Sequence, residues 1–359
     1  MIRSTALLPF FKSMAVLFVS ISSVTFAADS TPRAEPRELV LLNWSEYMDP
    51  DLVEKFEKQF NVKFREVYYE SDDLRDDMML ETGGKGYDLA LINGISVDVY
   101  RKRGWLSPVN EAQVPNFKHI DSRWLEAFPG LEGYAVPYFW GTMGIAYRSD
   151  LVPAPLTSWM DILQPTESLR GRIGMVENSR DALGMALKAL GHSANSTDSR
   201  QIKAAEKLLL SQKPYVKTYT YIALSEESAL VSGDIIATMI YSGDALMVQE
   251  HHEEIDYIVP SEGSNIWVDY LVVLENSKNK ELARAFLNFL NEPENAAQLA
   301  EFVYYATPNK GAEKLLPAEF LEDPVIYPSE AVLSRSEFYK PLPPRAMKKR
   351  NIAFSRALQ

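Results

Sequence analysis

The 359-residue sequence contains no cysteine. Disulfides, thiolate metal sites, cysteine nucleophiles and a lipid-modified N-terminal cysteine are therefore excluded. Histidine is nearly as scarce: His119, His192, His251 and His252 are the whole set. Adjacent residues do not share a helix face as an i, i+4 metal-binding pair does. His251-His252-Glu253-Glu254 therefore reads as a solvated helix end. There is no G-x-S-x-G nucleophile elbow, and Gly83-Gly84-Lys85-Gly86 lacks the spacing of a phosphate loop. Those glycines read as a helix terminus and turn. Acid–base chemistry by Asp and Glu is the remaining enzymatic option, and no constellation of residues supports it. Long apolar runs are missing too. After the N-terminal segment nothing approaches the roughly 18 apolar residues of a membrane-spanning helix.

Positive charge is also in deficit, with 37 Lys and Arg against 49 Asp and Glu and a net charge of −12. General attraction to nucleic acid or to an anionic membrane is disfavoured. Such a surface suits a cationic ligand, although acidic surfaces are common among soluble proteins. The Lys348-Lys349-Arg350 run near the C-terminus reads as a solvated face. At 46% hydrophobic and 24% charged residues the composition is that of a globular protein, and the length accommodates two domains. At the N-terminus, Arg3 and Lys12 precede Met14–Phe26, which is mostly apolar and small. The run ends in Thr25-Phe26-Ala27-Ala28-Asp29. A charged start, an apolar stretch too short to span a bilayer comfortably and a small-residue cleavage site predict a signal peptide over 1–27, cut after Ala27. The mature chain is then exported and periplasmic; an uncleaved anchor is the competing reading.

Beyond the polar leader Ala28–Pro36, alternation of element types sets the fold class. Glu38–Trp44 is a compact apolar run readable as a buried strand. Asp49 and Pro50 form a helix N-cap and first helical position, followed by Leu52, Val53, Phe56 and Phe60 on one face. Val62–Tyr69 reads as a second strand, Ser71 caps a helix running to Gly83-Gly84, and Tyr87–Ile92 is a third strand. This β-α-β-α-β order opens a parallel sheet covered by helices. The pattern returns with strands at Arg172–Val176, Ile235–Tyr241 and Ile266–Leu274, a helix Ala182–Leu190 capped by Ser179, and a helical stripe of Leu282, Phe286, Phe289 and Leu290. Two α/β lobes are expected.

In such sheets ligands bind beyond the carboxyl ends of the strands. The first candidates are Asn43–Met48, which holds Trp44 and Tyr47, and Asn93–Ser96. Four positions after expected strands combine aromatic and polar residues: Trp44-Ser45-Glu46-Tyr47, Tyr241-Ser242-Gly243-Asp244, Trp267-Val268-Asp269 and Tyr304-Tyr305. Residues two apart in a strand face the same side, so Trp267 and Asp269 point together. A ring beside a carboxylate suits an organic cation: a desolvated cation–π contact contributes about 0.5–2 kcal/mol and a hydrogen bond to a charged group about 1.5–3 kcal/mol. Each pattern alone is weak, and their recurrence carries the suggestion. Taken alone, Trp44 and Tyr47 could be core residues, and Asp181, in a first helical turn, could simply complement the helix dipole.

These residues, in this order, resemble a known family. Asn43-Trp44-Ser45-Glu46-Tyr47, Val136-Pro137-Tyr138-Phe139-Trp140-Gly141-Thr142, Ser158-Trp159 with Pro165, Tyr241-Ser242-Gly243-Asp244, Trp267-Val268-Asp269, Ala306-Thr307-Pro308-Asn309 and Ile326-Tyr327-Pro328-Ser329 are similar to motifs of the periplasmic spermidine/putrescine-binding proteins. The resemblance runs from about Glu38 to Tyr339. It implies a two-lobed, type II-like solute-binding α/β fold with a ligand cleft between lobes that close by a hinge. The chain would cross near Gly141–Ile145 and near Trp267. Lobe one is then 38–141 plus 268–316, and lobe two 142–267 plus 317–359.

The resemblance also implies residue roles. Trp44 and Tyr47 match aromatics that sandwich the polyamine chain, Ser45 a small hydroxyl neighbour, and Glu46 an acid near an amine. Asp181 matches an acid that holds an ammonium from the second lobe. Tyr241 stands where a ring packs on the methylenes, and Asp244 matches an acid of putrescine-type members. Trp267 and Asp269 match the pair that grips the central or terminal amine, and Tyr305 an aromatic beside the other terminal amine. Departures are Ile95 in place of a tyrosine, Asn93 in place of a small hydroxyl residue and Asn178 in place of an aspartate. Within the family the chain is most similar to a norspermidine and spermidine sensor that signals through a membrane partner controlling cyclic-di-GMP and biofilm formation. The alternative is the substrate-binding subunit of a polyamine ABC transporter docking on a permease. Neither reading requires a metal or a cofactor, and a monomer is expected.

Overall fold

A computed structural model describes residues 37–358. The proposed signal peptide, 1–27, lies outside these residues. Among the described residues eleven strands form the framework: β1 (Arg37–Asn43), β2 (Val62–Tyr68), β3 (Leu89–Asn93), β4 (Leu106–Ser107), β5 (Ala135–Arg148), β6 (Ile173–Gly174), β7 (Val216–Thr218), β8 (Ala237–Tyr241), β9 (Ile255–Ile258), β10 (Asn265–Leu274) and β11 (Glu337–Phe338). They run in the order β2-β1-β3-β10-β5-β8-β6-β7, with β4 and β11 on β10 and β9 on β5. β1 pairs in parallel with β2 and β3, whereas β10 joins β3 and β5 antiparallel. β6 pairs in parallel with β7 and β8.

β5 belongs to both halves. Its 14 residues are all buried. It pairs with β10 as far as Thr142 and with β8 from Met143 onward. One apolar core holds Leu39 to Trp140 and Ile266 to Ile326, including Phe56, Phe286 and Phe289. Another holds Met143, Trp159, Leu183, Leu209 and Met239. Trp159 anchors the second through its indole N–H, which donates to the Gly263 carbonyl at 2.9 Å. Phe320 and Ile326 pack in the first core and Tyr339 and Phe354 in the second. Sequence put all of 317–359 in lobe two; we propose instead that this boundary falls between Ile326 and Tyr339.

Local sequence explains the elements. Asp49 caps the helix Pro50–Phe60 by accepting from Asp51 N. Ser71 caps Asp72–Thr82, and Gly83 ends it at φ 61°. Asn93, at the end of β3, caps a helix that starts at Gly94, so Asn93–Ser96 opens a helix directly at the strand end. Three expectations need correction. The cap of the helix Ser179–Ala189 is Asn178, not Ser179: its Oδ1 accepts from Arg180 N and Asp181 N. Only Ile173–Gly174 of the expected strand Arg172–Val176 pairs. Tyr304-Tyr305 follows the helix Pro293–Val303 rather than a strand, with Tyr304 its left-handed C-cap at φ 56°. The C-terminal basic run is not uniformly solvated either. Arg350 is 1% exposed and donates to the carbonyls of Ala194 and Ser196, which removes its charge from the surface.

Candidate binding cleft

A cavity of about 590 Å³ lies between the two cores. Both halves supply it in the same way, from the carboxyl ends of parallel strands. Trp44–Tyr47 follow β1, Glu70–Asp73 follow β2 and Asn93–Ile95 follow β3. From the other half come Asp181 after β6, Tyr221 after β7, and Tyr241 and Asp244 at the end of β8. β10 contributes Asn265–Asp269. The structure brings together all eleven residues singled out from sequence: Trp44, Ser45, Glu46 and Tyr47; Asn93 and Asp181; Tyr241 and Asp244; Trp267 and Asp269; and Tyr305.

Trp267 is the central ring. Its register partner on β5 is Gly141, where a Cβ would lie 2.7 Å from the indole. Only glycine lets the ring cross the strand there. Trp267 meets Tyr241 at 5.9 Å and Tyr305 at 4.8 Å, both edge-to-face. Tyr305 also meets Tyr47 at 5.7 Å, and Trp44 packs on Tyr69 at 4.6 Å. Three polar atoms on these walls, Tyr47 Oη, Trp267 Nε1 and Asn265 Oδ1, are buried without a hydrogen-bond partner. Buried polar groups are rarely left unpaired without reason.

The carboxylates are set just as specifically. Asp269 sits where β5 carries an irregularity between Val268 and Tyr270, and it faces Asn93 across β10 and β3. Burial pushes its carboxyl up to about 8, with the charge of Asp72 adding to the shift and Arg75 opposing it. The nearby Tyr47 hydroxyl also opposes the shift, although no hydrogen bond of good geometry joins the two. Asp181 is 4% exposed and accepts from Tyr241 Oη at 3.2 Å. Burial pushes it up to about 6, against the pull of Tyr339 and Arg180. Asp244 accepts from Tyr305 Oη at 2.6 Å and from Tyr221 Oη, and burial raises it as well. None of the three forms an ion pair among the described residues. The site therefore presents hydrogen-bond acceptors and ring faces to whatever enters, and suits an elongated organic cation. Among the described residues no group of His, Cys, Asp or Glu is placed to hold a metal ion.

Other lining residues have different duties. Asn93 caps its helix through Oδ1 and donates from Nδ2 to Asp72 at 2.7 Å, so its polar atoms are engaged within the protein. Asn178 is the cap already described, and Ile95 supplies apolar wall. Glu46 takes a left-handed φ of 56° and is exposed at the rim. Sequence reasoning missed Asp72, Tyr221 and Tyr339. Asp72 was open to the rule that selected Asn43–Met48, because it follows the end of a parallel strand. Tyr221 and Tyr339 carried no local signal.

The bacterial extracellular solute-binding proteins match this chain over residues 51–327. The chain belongs to that family. It is 32% identical over 302 residues to the spermidine/putrescine-binding periplasmic protein of Escherichia coli K12, covering 84% of this chain and 86% of the relative. It is 31% identical over 304 residues to the norspermidine sensor of Vibrio cholerae, covering 84% and 83%. Among solved structures, the substrate-binding protein of a spermidine/putrescine ABC transporter from Streptococcus pneumoniae superposes with a TM-score of 0.77 at 29% identity. That match covers 90% of this chain and 98% of the other. The fold is thus the two-lobed solute-binding fold with its cleft between the lobes, and the family binds solutes rather than turning them over. No helix among the described residues is long and apolar enough to cross a membrane.

Proposed function

We propose that this chain is a periplasmic polyamine-binding protein, exported by removal of residues 1–27, that captures a norspermidine- or spermidine-class ligand in its interlobe cleft. The observation that carries the reading is the set of three cleft carboxylates, Asp181, which is buried, and Asp244 and Asp269, which are half-buried, without ion-pair partners among the described residues and interleaved with Trp44, Tyr47, Tyr241, Trp267 and Tyr305. Ammonium groups supply the missing hydrogen bonds, each contributing about 1.5–3 kcal/mol. The methylenes between them cover the rings.

Capture feeds an ABC permease, as the name of the S. pneumoniae relative suggests. A second output, reporting of ligand occupancy to a membrane protein that controls cyclic-di-GMP and biofilm formation, is supported by the V. cholerae norspermidine sensor, at 31% identity against 32% for the binding protein of E. coli. The binding reading is tested by calorimetric titration of purified, ligand-stripped mature protein with putrescine, cadaverine, norspermidine and spermidine. Saturable one-to-one binding with triamines tighter than diamines is expected; absence of heat with all four refutes it. Gene deletion separates the outputs. Lost uptake marks the transporter, whereas altered cyclic-di-GMP with uptake intact marks the sensor.

A further inference from the structure

One buried cation stands behind the cleft. Arg75, on the helix Asp72–Thr82, is 1% exposed although it carries a full charge. Its guanidinium forms ion pairs with Asp72 and, at 2.8 Å, with Asp76. It also donates to Ser96 Oγ at 3.0 Å and to Tyr100 Oη at 3.3 Å. It lies 5.5 Å over the ring of Tyr69, the ring on which Trp44 packs. A buried arginine is costly unless fully paired, and this one is paired so that one partner, Asp72, faces the cavity while the other, Asp76, does not.

Asp72 is held from two sides. Oδ1 takes the Arg75 pair, and Oδ2 accepts from Asn93 Nδ2 at 2.7 Å. A carboxylate has about four acceptor positions, so both oxygens keep capacity toward the cavity. Its side chain is 32% exposed and lines that cavity. Asn93 is the direct strand partner of Asp269, which places Asp72 beside Asp269. The charge of Asp72 also reaches Asp181 across the cleft. Asp244 stands apart. Trp267 lies between Tyr241, which holds Asp181, and Tyr305, which holds Asp244.

We infer that Asp72, oriented by buried Arg75 and by Asn93, is a specificity-determining carboxylate that completes a three-acid pole with Asp181 and Asp269, and that this pole holds two nitrogens of a triamine. This rests on the polyamine reading above and extends it. A diamine places one ammonium at the three-acid pole and one at Asp244. A triamine places an inner ammonium at the pole as well, where the third carboxylate accepts its hydrogen bonds. Diamine binding is therefore served without Asp72, and triamine binding is not.

The test compares wild type, Asp72→Asn and Asp76→Asn by calorimetric titration with spermidine and with putrescine, alongside thermal unfolding. Asp72→Asn keeps the shape of the side chain and removes its charge. It is expected to weaken spermidine binding about tenfold or more and putrescine binding about threefold or less. Asp76→Asn removes the other acid partner of Arg75, outside the cavity, and is expected to leave the ratio of the two affinities unchanged. Equal losses for both ligands in Asp72→Asn, no loss for either, or the same selective loss in Asp76→Asn overturns the inference while leaving polyamine binding intact. Failure of wild type to bind either ligand overturns both readings.

Discussion

Ligand capture here should be coupled to proton release, with Asp269 as the source. With its carboxyl pushed up to about 8, Asp269 is about nine-tenths protonated at pH 7 in the free cleft. An ammonium favours the ionised form, so binding at pH 7 expels about 0.9 proton from this residue. Asp181, pushed up to about 6, adds about 0.1 proton. Putrescine is the ligand for this test, because its two amines titrate at about 10 like lysine and stay charged throughout, whereas the inner amine of a triamine, flanked by two ammonium charges, titrates lower. Affinity therefore rises with pH until Asp269 ionises in the free protein, by about fifty-fold between pH 6 and pH 8 from Asp269 alone. The folded state holds the extra proton, so the same shift makes the ligand-free fold lose stability as pH rises from about 4 to about 8. Titrations at pH 7 in buffers of different ionisation enthalpy read the released protons directly. In Asp269→Asn the release should fall to the small share of Asp181. Proton-neutral binding by wild type, with a dissociation constant flat from pH 6 to pH 8, would refute the reasoning.

Three further variants probe the cleft and its supports. Trp267→Ala removes the ring between the two acid groups and should weaken polyamine binding at least about tenfold, measured by titration, through lost cation–π and methylene contact; near-native affinity would place the ligand elsewhere. Gly243→Ala puts a Cβ 2.7 Å from the Tyr305 ring, which must then move off Asp244. Binding should weaken severalfold, with Ser242→Ala, one residue away and not lining the cavity, as the folding control. Asn178→Ala deletes the acceptor for Arg180 N and Asp181 N. It should cost about 1 kcal/mol, seen as a lower thermal midpoint, and loosen the placement of Asp181.

Most of the cleft-lining side chains singled out from sequence sit at or next to a strand end, where an apolar run meets an aromatic–acid pair; Asp181, within a helix, and Tyr305, after one, do not. Trp44, Tyr241 and Trp267 all announce themselves in this way, and so do the capped helices at Asp49-Pro50 and Ser71 to Gly83. Where local signals were ambiguous, long-range contacts decided the outcome. Asn178 and Ser179 are both good caps, and nothing nearby ranks them; the helix takes Asn178 because its side chain reaches two backbone donors. β6 pairs over two residues and exists only through β7 and β8. Tyr304 adopts a left-handed conformation without being glycine, so the helix end that aims Tyr305 at Gly243 was invisible.

Asp72 lies within reach of the strand-end rule, yet a competing local explanation masks it. A first-turn acid already has a sufficient local explanation in the helix dipole, and an arginine three residues later looks like an ordinary surface pair. Only folding reveals that Arg75 points inward, beneath Tyr69 and Tyr100, and that its partner therefore faces the cavity. The strand-end rule finds groups that lie on one side of a cleft, since each is fixed by its own segment. It cannot find which groups face one another, because that depends on how β5 and β10 join the two halves. Ligand class is thus read from segments, whereas preference between a diamine and a triamine depends on how carboxylates from different segments are grouped. Asp72 is where these two levels meet, joined to β3 through Asn93 and acting on Asp269 of β10 and Asp181 of the opposite lobe.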